Sequence, residues 1–138
     1  MFQRDSVRAL EREECLRLLA KVPVGRVVYT RHALPAVLPV NFALDTDDSV
    51  LVRTSAASEL ARLVDGVVIA FEADELDVEQ HCGWSVVVTG RAEVVTDPVA
   101  CERLARVGPR SWVVPDGGVF VRIEAALITG REIAAGRA

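Results

Sequence analysis

Cys15, Leu18, Leu19 and Val22 fall at i, i+3, i+4 and i+7, with charged residues between them. That stripe predicts an amphipathic helix over residues 11 to about 21. Val22-Pro23-Val24-Gly25 ends it, because proline brings no N–H to the helical ladder. From there the apolar spacing shortens. "GRVVYT" predicts a strand, and so does "LPAVLPVNFALD", residues 34–45. Pro35 and Pro39 within it point to an edge, a bulge or a bend rather than a central strand. "DTDD" from Asp45 reads as a hairpin turn, "SVLVRT" as the returning strand and "ASELARLV" as a short helix.

The second half continues in strands. "GVVIAFEADEL", residues 66–76, opens as a near-continuous apolar run, the pattern of a strand covered on both faces. "GWSVVVTGRAEVVTD", residues 83–97, is the longest strand pattern, and Gly90 marks a bulge or sharp bend in it. Asp97-Pro98 opens a helix, "PVACERLARV", with proline in its first turn. Residues 108–118 are a Gly- and Pro-rich loop, and "VFVRIEAALITGREI" is a last strand with a break at Glu124 to Ala126. About six strands with peripheral helices predict a mainly β fold, a closed or nearly closed antiparallel barrel. The strict strand–helix alternation of a parallel doubly wound sheet is missing.

Length and composition narrow this picture. A chain of 138 residues fits one domain, 1–138, with the helix at about 11–21 and the barrel at about 25–133. Hydrophobic residues at 51 % and charged residues at 26 % are a globular balance. A net charge of −4 with no basic run argues against nucleic acid as the main partner. It leaves room for a local cationic pocket that holds one small anion. No apolar run is long enough to cross a bilayer, so no membrane partner is expected. The opening "MFQRDSVRALEREECL" has no signal-peptide core, and the expectation is a cytoplasmic protein. Cys15, Cys82 and Cys101 are an odd count without a CxxC pair, which fits reduced thiols.

Candidate chemistry concentrates in "VRTSAASELARL", where a strand feeds a helix. A helix start presents unpaired N–H groups and a partial positive charge. Arg53 adds a cation, Thr54, Ser55 and Ser58 add hydroxyls, and Ala56 and Ala57 are small enough to let an anion approach. On the stretch alone the simpler reading is a helix cap, with Ser55 as N-cap and Arg53 solvated. His32 and His81 are the only histidines. Nothing around them has the makings of a nucleophile–base–orienter triad, and His81-Cys82 with Cys101 matches no common zinc spacing. No metal and no catalytic side chain are therefore assigned.

"VLPVNFALD", "VLVRTSAASEL", "VVIAFEAD" and "GWSVVVTGRAEVV", in this order and spacing, resemble the flavin-binding split-barrel family, the superfamily of pyridoxamine 5′-phosphate oxidase. The similarity spans about Leu10 to Ile133. It implies a six-stranded antiparallel split barrel, paired into a homodimer with FMN in the subunit interface. By the same resemblance, Arg53, Thr54, Ser55 and Ser58 bind the flavin phosphate, and Pro39, Val40, Asn41 and Phe42 run beside the ring edge. Asn41 then offers the ring a donor and an acceptor; the alternative is that it satisfies an edge-strand backbone group. Trp84 and Ser85 are expected to wall the ring, the alternative for Trp84 being the core or a dimer interface. His81 would stand at a substrate entrance.

Two departures stand out. Many relatives carry a basic residue just after the serine, where this chain has Glu59 and Leu60. The lost cationic contact is worth about 1.5–3 kcal/mol unless Arg53 compensates. The tail "GREIAAGRA" lacks the closing Arg-Leu-Pro pattern of the true oxidase, so vitamin B6 oxidation is not expected. The reading is an FMN-binding oxidoreductase acting on a small-molecule substrate. The alternatives are a reductase that uses the deazaflavin coenzyme, or a non-catalytic dimer that binds flavin or haem or has no cofactor.

Overall fold

In the computed structural model, residues 7–112 and 118–134 are described. The elements run β1 (Val7–Ala9), α1 (Arg12–Leu19), β2 (Val24–Arg31), β3 (Leu34–Asn41), β4 (Ala43–Leu44), β5 (Val50–Thr54), α2 (Glu59–Val64), β6 (Val68–Asp77), β7 (Cys82–Val94), α3 (Pro98–Val107), β8 (Val119–Ile123) and β9 (Leu127–Ile133). The sheet order is β3-β2-β6-β7-β8-β5-β4, with β9 paired to β7 and β1 to β9, and every pair is antiparallel. This is the expected mainly β, split-barrel architecture with helices outside it.

The strand count exceeds the expected six, for local reasons. Phe42 turns into the core and breaks the second predicted strand into β3 and β4. The last predicted strand parts at residues 124–126 into β8 and β9, as its sequence suggested. β1 was not foreseen: its three residues are all exposed, and its partner β9 lies at the other end of the chain. β3 hydrogen-bonds to β2 alone and is an edge strand, in keeping with its prolines. His32 and Ala33, both with positive φ (51° and 65°), form the two-residue turn between β2 and β3. Positive φ at both positions is the type I′ geometry, whose twist matches that of the strands it joins.

Gly90 explains how the barrel turns its corner. β7 pairs with β9 through Thr89 and with β8 from Ala92 onward. At this handover a Cβ on Gly90 would sit 1.7 Å from the Glu124 carbonyl oxygen. Only glycine allows that approach.

Val27, Phe71, Trp84, Val86, Val88 and Ile123 fill the barrel, with Leu19 of α1 closing one end. A smaller cluster of Leu51, Leu104 and Phe120 seats α3 against β5 and β8. The sequence set the start of α3: Asp97 accepts a hydrogen bond from the Ala100 N–H at 2.9 Å, and Pro98 occupies the first turn. Asp45, with its carboxylate 5 % exposed, receives both Arg103 nitrogens (3.0 and 2.9 Å) and Arg122 Nη2 (3.0 Å). The Arg103 hydrogen bonds hold the Asp45 carboxyl below its usual range, and burial opposes them. This bridge ties α3 to the β4–β5 turn, which fixes where the chain emerges after α3.

β6 corrects one expectation. Its burial alternates, with Ile69, Phe71 and Ala73 inside and Val68, Ala70, Glu72 and Asp74 facing outward, so one face is buried and not two. The apolar run reflects an outer face that is itself partly apolar. Cross-strand neighbours Val37, Val28, Ala70, Thr89 and Leu127 form one row on that face. Pro39, Arg26, Glu72, Val87 and Thr129 form the next. Arg26 Nη1 bridges Glu72 (3.0 Å) and Asp74 (3.3 Å). Loss of hydration and the neighbouring Asp74 push Glu72 up to about 7 against the pull of Arg26. Among the described residues, no helix is long and apolar enough to cross a membrane.

Candidate functional site

β5 ends at Thr54, and four residues later Ser58 caps α2. Ser58 Oγ accepts the Ala61 N–H at 3.1 Å, while Ser55 Oγ accepts the Ala57 N–H at 3.2 Å. The helix therefore starts later than the sequence suggested, and Ser58, not Ser55, is its N-cap. Both hydroxyls keep their own O–H for donation.

A cavity of about 370 Å³ opens beside this turn, within the range of about 300–1,000 Å³ usual for small-molecule sites. Arg53, Thr54, Ser55 and Ser58, all of this turn, line it. Val24 of β2, Leu38, Pro39, Val40 and Asn41 of β3, and Ser111 and Trp112 also line it. Arg53 stands opposite Phe120 in the β5–β8 ladder, with its guanidinium carbon 4.9 Å from the ring centroid. That cation–π contact orients the group. Arg53 is the one cationic side chain among the described lining residues.

Glu59 does not line the cavity. Tyr29 Oη donates to its carboxylate at 3.0 Å and Arg31 Nη1 at 3.3 Å. These bonds, the tyrosine first, hold the Glu59 carboxyl below its ordinary range. The acidic residue that departs from the usual pattern is thus turned to β2 and neutralised there.

The chain brings Pro39, Val40, Asn41, Arg53, Thr54, Ser55 and Ser58 together and leaves three residues elsewhere. Phe42 packs on Phe71 in the core, with ring centroids 4.6 Å apart. Trp84 is 7 % exposed and belongs to the barrel core. Ser85 faces outward beside Thr129, Gly130 and Arg131. Consecutive strand residues alternate in direction, and here Trp84 turns into the core while Ser85 turns to the outer face. His32 and His81 occupy exposed turns with positive φ, and neither lines the cavity. No group of three or more potential metal ligands occurs among the described residues.

Asn41 lines the cavity, and its amide satisfies backbone groups of a distant segment. Its Nδ2 donates to the Arg110 carbonyl, and its Oδ1 accepts the Trp112 N–H at 3.1 Å. One amide therefore anchors the segment that follows α3. Trp112, 69 % exposed, is the site residue that the sequence reading missed. Its only signal was an apolar aromatic in a loop otherwise rich in glycine and proline.

The family described as pyridoxamine 5′-phosphate oxidase matches residues 11–132. The chain belongs to that family. The uncharacterized protein Rv0080 of Mycobacterium tuberculosis is 45 % identical over 131 residues, 91 % of this chain and 85 % of that one. The FAD-binding protein of Mycobacterium smegmatis is 32 % identical, with a TM-score of 0.71 over 92 % of this chain and 98 % of that one. An FAD-binding protein of Mesorhizobium loti is 25 % identical, with a TM-score of 0.75 over 93 % of this chain and 97 % of its own. Two of the solved structures that share this fold are thus FAD-binding proteins.

Proposed function

We propose that this chain binds a flavin nucleotide in the cavity beside Arg53 and serves as a flavin-dependent oxidoreductase for a small molecule. One observation carries the reading: a cation and three hydroxyls from one strand-to-helix turn line a cavity whose other lining is mostly apolar. A flavin nucleotide divides in the same way, into a phosphate and a flat, largely apolar ring. Arg53 gives a charge-assisted, bidentate contact to the phosphate, and Thr54, Ser55 and Ser58 donate hydroxyl hydrogens to it. Leu38, Pro39 and Val40 cover one side of the ring. The flavin supplies the redox chemistry, while the chain holds and orients it and keeps water from it.

FMN and the flavin half of FAD share these contacts, and the FAD-binding relatives support the common part. A deazaflavin coenzyme has a longer acidic tail and asks for more cations than Arg53 alone, so it ranks second. The test is equilibrium dialysis of the full chain against FMN, FAD and the deazaflavin coenzyme, read by visible absorbance. Tight binding of FMN or FAD near one per chain is expected. No retention of either overturns the reading.

The working unit in this proposal is a homodimer. The partly apolar outer rows on β3, β2, β6, β7 and β9 support it, and Arg26 beside Glu72 and Asp74 makes that face self-complementary in charge. In such a pair, Ser85 and Arg131 on the outer face stand where a second copy could meet them. Sedimentation equilibrium that returned a monomer at micromolar concentration would remove this part.

A further inference from the structure

We infer that Trp112 is an aromatic clamp for the ligand's flat ring, held in place by Asn41. The inference rests on the flavin reading and names a contact that reading does not require.

A tryptophan exposed to 69 % forgoes most of the burial that usually stabilises an indole. The chain nevertheless fixes its backbone. The two arms of the Asn41 amide engage Arg110 and Trp112, one residue to either side of Ser111, as a strand partner would. Asn41 projects from the end of edge strand β3, so it brings Trp112 to the same cavity that Leu38, Pro39 and Val40 line. α3 is itself secured by the Asp45–Arg103 bridge, so the chain leaves it from a fixed point. A rigid backbone carrying a large uncovered aromatic group at a cavity edge suits stacking on a planar ring. The ligand class is a conjugated, flat heterocycle whose anionic tail reaches Arg53. Trp112 binds the ring, and Asn41 is a positioning residue that touches only the protein.

The experiment measures FMN affinity by equilibrium dialysis and the fluorescence of the bound flavin, which a stacked indole quenches. Wild type is expected to bind FMN with strongly quenched emission. Trp112→Leu should weaken binding ten-fold or more and restore emission at saturating FMN, and Trp112→Phe should recover most of the affinity. Asn41→Ala should weaken binding in the wild-type background and have no further effect in the Trp112→Leu background, the non-additivity expected of residues that act as a unit. Wild-type affinity with quenched emission in Trp112→Leu overturns the clamp while the flavin reading stands. Additive losses from the two substitutions overturn the positioning role of Asn41. Absence of FMN and FAD binding in the wild type overturns the clamp together with the flavin reading.

Discussion

The two tryptophans mark two regions built on opposite principles. Trp84 sits in the β6–β7–β9 ladder with its side chain in the barrel core, and Trp112 sits on an irregular segment with its indole largely uncovered. In the ladder, the alternation of the strand decides where each side chain goes. At the cavity edge no periodicity acts, and a single side-chain amide from another strand sets the geometry. The contrast teaches that an aromatic residue's type says little about its role. Regular structure assigns aromatics to the core, and a functional aromatic is easier to present from a loop held by a rigid neighbour.

Substitutions can widen or erase this contrast. The largest effect is expected from Trp84→Ala, which empties a core position and should cost about 3–5 kcal/mol in urea unfolding. Trp112→Leu should stay within about 0.5 kcal/mol of wild type in the same assay. Equal losses would break the distinction. Next is Arg53→Ala, which should weaken FMN binding ten-fold or more, about 1.4 kcal/mol, in dialysis while sparing most of the unfolding free energy.

Glu72→Gln probes the outer face of the same ladder. Its folded-state value of about 7 lies above its ordinary 4.5. The native state therefore holds the proton more firmly than the unfolded chain does. The stabilisation is complete below about 4.5 and is lost as pH rises to about 7. The variant should flatten that slope and be more stable by about 1–2 kcal/mol at pH 8, after allowance for partial hydration. Thermal unfolding across pH 4–8 reads it; an unchanged slope would place the proton elsewhere. The smallest effect is Ser58→Ala, about 1 kcal/mol from the lost cap, with Ser55→Ala milder.

Much of the frame was legible in local chemistry. Asp97-Pro98 fixed the start of α3, the prolines of residues 34–45 marked an edge strand, and Gly90 marked the corner. Each works through the backbone of its own neighbourhood, so the sequence carries it directly. The cavity's cation and hydroxyls were legible because they are contiguous. What the sequence did not show depends on partners far away in the chain. β1 gains its strand form from β9, and Asn41 gains its role from residues 110–112. The harmless orientation of Glu59 depends on Tyr29 and Arg31, some thirty residues upstream. Strand parity, which is legible in sequence, sends Trp84 to the core and Ser85 to the outer face.

β7 exchanges one partner for another at Gly90 and so belongs to both halves of the barrel. The halves cannot part while that strand is intact, because its ladder is the seam that both share. Transient opening should therefore begin at the outer strands and reach β7 last. In deuterium oxide, the amides of Val86 and Val88 should be the slowest in the molecule to exchange, and their rates should report the opening of the whole fold.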